Sequence, residues 1–236
     1  MPKPFDTWTV CPQGPIEKIR DDLWRVQAPF PGAPFPRTMV LARLGDGRVV
    51  IHNAIALDDA EMKELEAWGQ PTFLIVPNGG HRMDAKTFKD RYPSLRVIAP
   101  PGAKAKVDEV VKVDDSEGAF GDDRVHYEVL DGTKAREGVL SVRSGGEATL
   151  IFNDAVMNMT SLPGFGGFMM GLFGFTGPAP KVSFPARVAL VADKKALRGH
   201  LERLAATPGL ARIEVAHGVP VTERAADVLR AAAAAL

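Results

Sequence analysis

Short apolar runs separated by turn residues dominate the first part of the chain. The segment DLWRV predicts a strand at residues 23–26. The runs MVLARL (39–44) and RVVIHNAI (48–55) flank Gly45, Asp46 and Gly47, a combination that predicts a β-hairpin with a glycine-containing turn. Between the first strand and this hairpin, the run PFPGAPFP (29–36) predicts an irregular loop, because proline interrupts a strand ladder.

Apolar residues then recur at helical spacing. The segment LDDAEMKELEAWG (57–69) has acidic residues in its first turn and Gly69 just past its end, both typical of an α-helix. Further helices are predicted at 84–92, 102–106, 194–206 and 222–236, and His200 of the third is expected to face solvent. Further strands are predicted at 72–76, 95–100, 110–113, 124–131, 138–144, 148–154 and 211–217.

The strands form two groups, each followed by helices, and the pattern offers no linker at which to divide the chain. This order favours an α/β protein in which two sheets pack face to face beneath helices. A single mixed sheet is the alternative that the pattern leaves open. We expect one domain over residues 1–236, in which residues 1–20 form an irregular N-terminal extension.

Charge and cysteine content limit the function classes. The chain has 29 Lys and Arg residues and 29 Asp and Glu residues, so no overall positive field favours nucleic acid. The single cysteine, Cys11, excludes an intramolecular disulfide framework. The N-terminal residues lack the apolar core of a signal peptide, and no transmembrane segment is expected, so we expect a cytoplasmic protein.

Three segments place polar residues where predicted strands end. The segments are LIVPNGGHRMDAKTF (74–88), TLIFNDAV (149–156) and IEVAHGVPVT (213–222). Together they resemble the metallo-β-lactamase fold superfamily over residues 20–232. The run PNGGHRMDAKTFKDRYP (77–93) is similar to a branch of that superfamily of unassigned function. The resemblance implies an αββα sandwich of two mixed sheets flanked by helices, with the active site at one edge of the sheets.

The resemblance also implies that the metal site is degenerate. Where such proteins have a His-x-His-x-Asp-His cluster, His81 takes the second histidine's place, and Gly79, Met83 and Asp84 replace three other ligands. The middle histidine is missing beside Gly132. The residues that remain as candidate metal ligands and catalytic residues are His81, Asp154 and His217. Three protein ligands suffice for one catalytic metal, here zinc, iron or manganese, and a metal-free protein is the alternative.

Residues 155–180 carry no charge and are rich in glycine, methionine and phenylalanine. Methionine and phenylalanine provide an adaptable apolar surface, and glycine allows it to move. One interpretation is a helical piece packed on the fold. A second is a flap over the site. The candidate substrate-binding residues are then four in this segment, Phe165, Phe168, Met169 and Phe173, together with Asn78 and Asp84 near His81. A third is a surface for homo-oligomerisation or membrane-surface docking.

Two classes of function follow from these features. The first is binding of a small-molecule ligand or weak single-metal hydrolysis of an ester- or phosphoester-type substrate, with water activated by the metal. A metal-free hydrolase that uses His217 and Asp154 as its base is a variant of this class. The second is a non-catalytic scaffold that associates through residues 155–180.

Overall fold

Six strands form the first sheet of the computed structural model, which describes residues 3–159, 167, 170–172, 176–177 and 180–236. The strands lie side by side in chain order. They are β1 (Glu17–Arg20), β2 (Leu23–Pro29), β3 (Pro36–Arg43), β4 (Arg48–His52), β5 (Gln70–Ile75) and β6 (Arg96–Ile98). The pairs from β1 to β4 are antiparallel, whereas β4, β5 and β6 run parallel. Parallel neighbours require crossover connections, and a helix lies in the connection from β4 to β5 and in that from β5 to β6. The sheet is therefore mixed.

Four strands form the second sheet, in the order β10-β9-β8-β7. They are β7 (Val125–Val129), β8 (Gly138–Ser144), β9 (Glu147–Phe152) and β10 (Leu210–Val215). β7, β8 and β9 pair antiparallel, and β10 pairs parallel with β9. Because β9 and β10 are parallel, their C-terminal ends meet at one edge of the sheet.

The helices of the described residues connect and cover these strands. They are α1 (Asp59–Trp68), α2 (Ala85–Arg91), α3 (Lys104–Asp108), α4 (Phe184–Ala189), α5 (Lys194–Ala205) and α6 (Ala225–Ala234). Asp58 caps α1 through the backbone N–H groups of Ala60 and Glu61, as the acidic start of that segment predicts. None of these helices is long and apolar enough to cross a bilayer.

The apolar core has three layers, which show that the two sheets pack face to face. Val50 of β4 and Ile151 of β9 belong to the same cluster between the sheets. Neighbouring Ile51 packs on the opposite face with α1 and α2, and Phe152 packs with α5 and α6. Since successive strand residues point to opposite faces, each central strand is buried on both sides. The predicted arrangement of two mixed sheets flanked by helices is confirmed.

Three local predictions were wrong. Residues 17–20, predicted to be irregular, form β1 and pair with β2. Residues 110–113 form no strand, because the N–H groups of Val110 and Val111 both bond to the carbonyl of Val107 and extend α3 by a turn. His200 was expected to face solvent but is buried, and its Nδ1 accepts a hydrogen bond from the Asp131 N–H.

Candidate metal centre

Three polar side chains meet where strands of both sheets end. His81 lies in the loop after β5, Asp154 lies two residues after β9, and His217 lies two residues after β10. All three belong to one group whose ligand atoms lie within 4.8 Å of one another. The structure therefore brings together the three residues that the sequence motifs indicated.

The distances within this group are short and nearly equal. The Nε2 atoms of His81 and His217 are 3.2 Å apart. Each Nε2 atom lies 3.3 Å from Oδ1 of Asp154. The histidine rings are buried and the Asp154 side chain is 28% exposed, so the group is open to solvent on the aspartate side.

Two outer hydrogen bonds determine which nitrogen of each ring faces the centre. Nδ1 of His217 donates to the carbonyl oxygen of Pro36 over 2.7 Å, because that oxygen can only accept. Nδ1 of His81 lies 3.2 Å from Oδ1 of Asn53, whose amide donates in turn to the Thr38 carbonyl. In the neutral rings both hydrogens are therefore on Nδ1, and both Nε2 lone pairs point at Asp154.

Three electron-pair donors facing one another require a cation between them. A proton on one ring would satisfy this arrangement, and so would a divalent metal ion. Two ligands about 2.0–2.1 Å from a tetrahedral ion lie roughly 3.3 Å apart, close to the nitrogen separation given above. Two imidazoles whose Nδ1 atoms are held by oxygen acceptors, with one carboxylate, form a donor set that fits one such ion.

The electrostatics keep Asp154 in the charge state of a ligand. Burial alone would raise the pKa of the Asp154 carboxyl, but the positive charge and N–H hydrogen bonds of His81 and His217 in their protonated forms outweigh burial and hold this pKa well below its ordinary value. Asp154 is therefore a carboxylate at neutral pH, which is the form that binds a metal.

A second carboxyl group, Glu137, lies behind Asp154 and was missed by the sequence reasoning. Burial, and then the charge of Asp154, raise the pKa of Glu137 well above its ordinary value. Its oxygens accept from the Ala155 N–H and from the side-chain amide of Asn78. Because Glu137 lies in a polar segment, AREG, no local signal indicated that this residue is fully buried.

A cavity of about 680 Å³ adjoins the group. Phe30 and Phe35, from the loop between β2 and β3, line one wall, and their ring centroids lie 5.7 and 4.9 Å from that of His217. Ala186 and Leu190 at α4 also line the cavity. Both phenylalanines were missed as site residues, although the run PFPGAPFP was recognised as a loop.

Comparison with known proteins identifies the fold. No family model matches the chain, and no curated protein sequence matches it. A solved structure of a metallo β-lactamase from Erythrobacter litoralis, with β-mercaptoethanol in the active site, aligns over 94% of this chain and 96% of that chain. The TM-score is 0.64 at 13% sequence identity. The chain has the metallo-β-lactamase fold.

A second structure of a metallo β-lactamase from Erythrobacter litoralis gives the same result. It aligns with a TM-score of 0.59 over 94% of this chain and 92% of that chain, again at 13% identity. At this identity the likeness shows the metallo-β-lactamase fold alone. The fold that the three sequence segments implied is confirmed.

Within the metallo-β-lactamase fold, the other predicted site residues lie in different places. Asn78 lines the cavity. Asp84 does not: its buried carboxylate pairs with the buried side chain of Arg37 and accepts the Ala56 N–H, so a role in binding substrate is not supported. The remaining four candidates lie outside the described residues: Phe165, Phe168, Met169 and Phe173.

Proposed function

We propose that this protein binds one divalent metal ion through His81, Asp154 and His217 and hydrolyses a small ester- or phosphoester-type substrate in the adjoining cavity. Zinc, iron and manganese all suit two imidazoles and one carboxylate. The observation that carries the proposal is the convergence of two Nε2 atoms and one carboxylate oxygen at a cavity wall.

The chain's own residues prepare this site for hydrolysis. When bound, a divalent ion supplies Lewis acidity, which polarises a carbonyl or phosphoryl oxygen and lowers the pKa of water. Pro36 and Asn53 hold the two rings with their Nε2 atoms free for ligation. The negative charge of Asp154 balances part of the ion's charge.

The cavity walls favour a substrate with an apolar body. Phe30, Phe35 and Met157 provide apolar surface and exclude water from the region beside His217. Two cations also line the cavity, but Lys106 is paired with Glu109 at 2.9 Å. Arg136 makes no ion pair within the described part of the chain and donates one long hydrogen bond, 3.5 Å, to the Ala189 carbonyl, so its guanidinium is available to an anionic group of the substrate.

The solved structures add support at the level of the fold. Both are described as metallo β-lactamases, and one contains β-mercaptoethanol in its active site. Because the same fold carries different chemistries, the likeness in fold does not identify the reaction. The reaction class is proposed from the site residues.

Metal content of the purified protein tests the proposal, with His217→Ala as the disabled variant and His126→Ala, a change at an exposed strand histidine, as the matched control. We expect about one zinc, iron or manganese ion per chain in the wild type and the control. His217→Ala should weaken metal binding by more than roughly 100-fold, because outer partners of a ligand alone are worth 10–100-fold.

Hydrolytic activity should depend on the bound metal ion. Ester and phosphoester substrates with apolar groups should be cleaved by the wild type and His126→Ala, and cleavage should be lost in His217→Ala and after chelation. A wild-type chain that takes up no metal even in supplemented buffer would overturn the proposal.

The alternative is a non-catalytic scaffold that forms a homo-oligomer through residues 155–180 and their surroundings. The observation that favours it is the exposure of three apolar side chains: Leu172 and Val188 are each 68% exposed, and Phe184 is 63% exposed. Absence of metal in the experiment above, together with a stable oligomer in light scattering, is the result that this alternative requires.

A further inference from the structure

The side-chain amide of Asn78 lies between two carboxyl groups. Its Nδ2 atom is 2.7 Å from Oδ2 of Asp154 and 3.3 Å from Oε2 of Glu137. Asn78 is 5% exposed and Glu137 is fully buried, so water has little access to the space between them. One NH₂ group therefore satisfies oxygens of two acidic side chains at once.

The orientation of this amide is determined by its other end. Oδ1 of Asn78 accepts the Gly80 N–H over 2.8 Å, so the oxygen faces the backbone and the NH₂ group must face the carboxyl groups. Glu137 is held in place as well, because its second oxygen accepts the Ala155 N–H. Both the oxygen and the NH₂ group of the Asn78 amide therefore have hydrogen-bond partners.

The amide also determines how Asp154 is presented. Oδ2 of Asp154 accepts from Asn78, while Oδ1 lies 3.3 Å from both histidine nitrogens. The two oxygens of Asp154 therefore differ in their surroundings, since one faces the metal centre and the other faces Asn78. Without the amide between them, Asp154 and Glu137 would offer carboxyl oxygens to a second divalent cation, as in two-metal sites, with Glu137 losing its proton as the cation binds.

We propose that Asn78 is a positioning residue that limits the centre to one metal ion. Its NH₂ group occupies the space between Asp154 and Glu137 in which a second cation would bridge them, and it turns Oδ1 of Asp154 towards the histidines. This inference rests on the proposed function, because it concerns the number of ions that the same site holds.

Replacing the amide by a carboxylate tests the inference. Asn78→Asp keeps the shape of the side chain, removes the NH₂ donor and places a third carboxylate beside Asp154 and Glu137. We expect isothermal titration with Zn²⁺ or Mn²⁺ to show one binding event in the wild type and two in Asn78→Asp. The control Gln70→Glu adds the same charge at an exposed side chain at the start of β5, the end of the strand away from the centre, and it should keep one event.

The outcomes separate this inference from the proposed function. One ion in the wild type and one in folded Asn78→Asp would overturn the inference and leave the function standing. Two ions in the wild type would overturn the inference and the proposed single-ion stoichiometry. No ion in the wild type and one in Asn78→Asp would overturn the function and the inference, because the added carboxylate alone would then create the site. No ion in either variant would overturn both.

A second variant covers the case in which Asn78→Asp does not fold. Asn78→Ala removes the NH₂ group without adding charge, and Oδ2 of Asp154 becomes free to ligate. We expect the visible spectrum of the Co²⁺-loaded variant to differ from that of the loaded wild type, because the coordination by Asp154 changes. A folded Asn78→Ala with an unchanged spectrum and a single binding event of unchanged affinity would overturn the inference.

Discussion

His52 ends β4 and His81 follows the neighbouring parallel strand β5, yet the fold gives them opposite environments. His81 has an oxygen acceptor on Nδ1 and the other centre residues around Nε2. His52 is 1% exposed, and neither ring nitrogen has a hydrogen-bond partner among the described residues. Burial, followed by the charge of nearby His81, lowers the pKa of His52 to about 3. His52 is therefore a neutral core residue, not a member of the centre.

This lowered pKa predicts a loss of stability in mild acid. Below pH 6.5, the ordinary value for the residue, the unfolded chain binds a proton at His52 that the folded chain excludes until about pH 3. The free energy of unfolding should therefore fall as the pH falls through this window, by up to about 1.4 kcal/mol per pH unit from this group.

His52→Leu should remove that contribution. Urea unfolding between about pH 7 and pH 5, with chelator present to exclude metal effects, should show a smaller loss of stability in His52→Leu than in the wild type. At neutral pH the variant should be as stable as the wild type or more stable, because two unpaired buried polar atoms are removed. The exposed His126→Leu should keep the wild-type pH dependence, and an equal loss in all three proteins would contradict the prediction.

At the scale of single elements, the turn after β10 depends on a glycine. Gly218 has φ of +105°, and a Cβ atom built on it would lie 2.0 Å from the backbone oxygen of Asn158. The Asn158 N–H bonds to the carbonyl of His217, so this contact lies directly beside a centre residue. The glycine allows the segment after β9 to approach the end of β10, which brings Asp154 and His217 together.

Gly218→Ala should therefore damage both stability and metal binding. Gly146→Ala is the matched control: Gly146 also has a positive φ, +84°, but its Cβ would meet nothing within 4 Å. Both changes should destabilise by about 1–2 kcal/mol through the backbone conformation. Only Gly218→Ala should add a steric loss, measured by urea unfolding, and weaken Zn²⁺ binding in titration. Equal effects of the two changes would show that the close approach is unimportant.

Elements with strong local patterns could be predicted, and weak ones could not. The acidic start and terminal glycine of α1 determine a helix through contacts within a few residues. Residues 110–113 have an apolar alternation typical of a strand, but Val111 and Val113 pack into the core beneath the helices without a strand partner to bond them. A strand requires a partner from elsewhere in the chain, and local pattern does not supply that information.

At the scale of the whole molecule, a buried ion pair joins the two sheets. Arg25 of β2 and Glu214 of β10 are both nearly inaccessible, and Nε of Arg25 lies 3.7 Å from Oε2 of Glu214. Nε of Arg212 bonds the other oxygen of Glu214 at 2.5 Å. Burial raises the pKa of Glu214 despite the two guanidinium groups, so the pair loses much hydration on folding.

Removing one partner should cost far more than removing an exposed pair. Glu214→Ala leaves the buried guanidinium of Arg25 with only the exposed carboxylate of Glu17, 3.8 Å away, and should destabilise by about 3–5 kcal/mol. The control Asp90→Ala breaks the exposed pair of Lys86 and Asp90 within α2 and should cost less than about 0.5 kcal/mol. Urea unfolding at neutral pH measures both, and a small effect of Glu214→Ala would show that the apolar layer alone joins the sheets.

The sequence by itself determined the order of most strands and helices and the three polar residues at strand ends. Periods of 2.0 and 3.6 residues express contacts between near neighbours, so they can be read locally. The resemblance in three short segments added the fold and the candidates His81, Asp154 and His217.

Only the tertiary structure decided what those residues face. The acceptor that orients His217 is the carbonyl of Pro36, 181 positions away, and the two histidines of the centre are 136 positions apart. The burial of Glu137, the pairing of Asp84 with Arg37 and the placement of Phe30 and Phe35 likewise depend on distant segments. Hydrogen bonding, burial and charge act through space, so a protonation state or a metal ligand set becomes defined only when the sheets have packed.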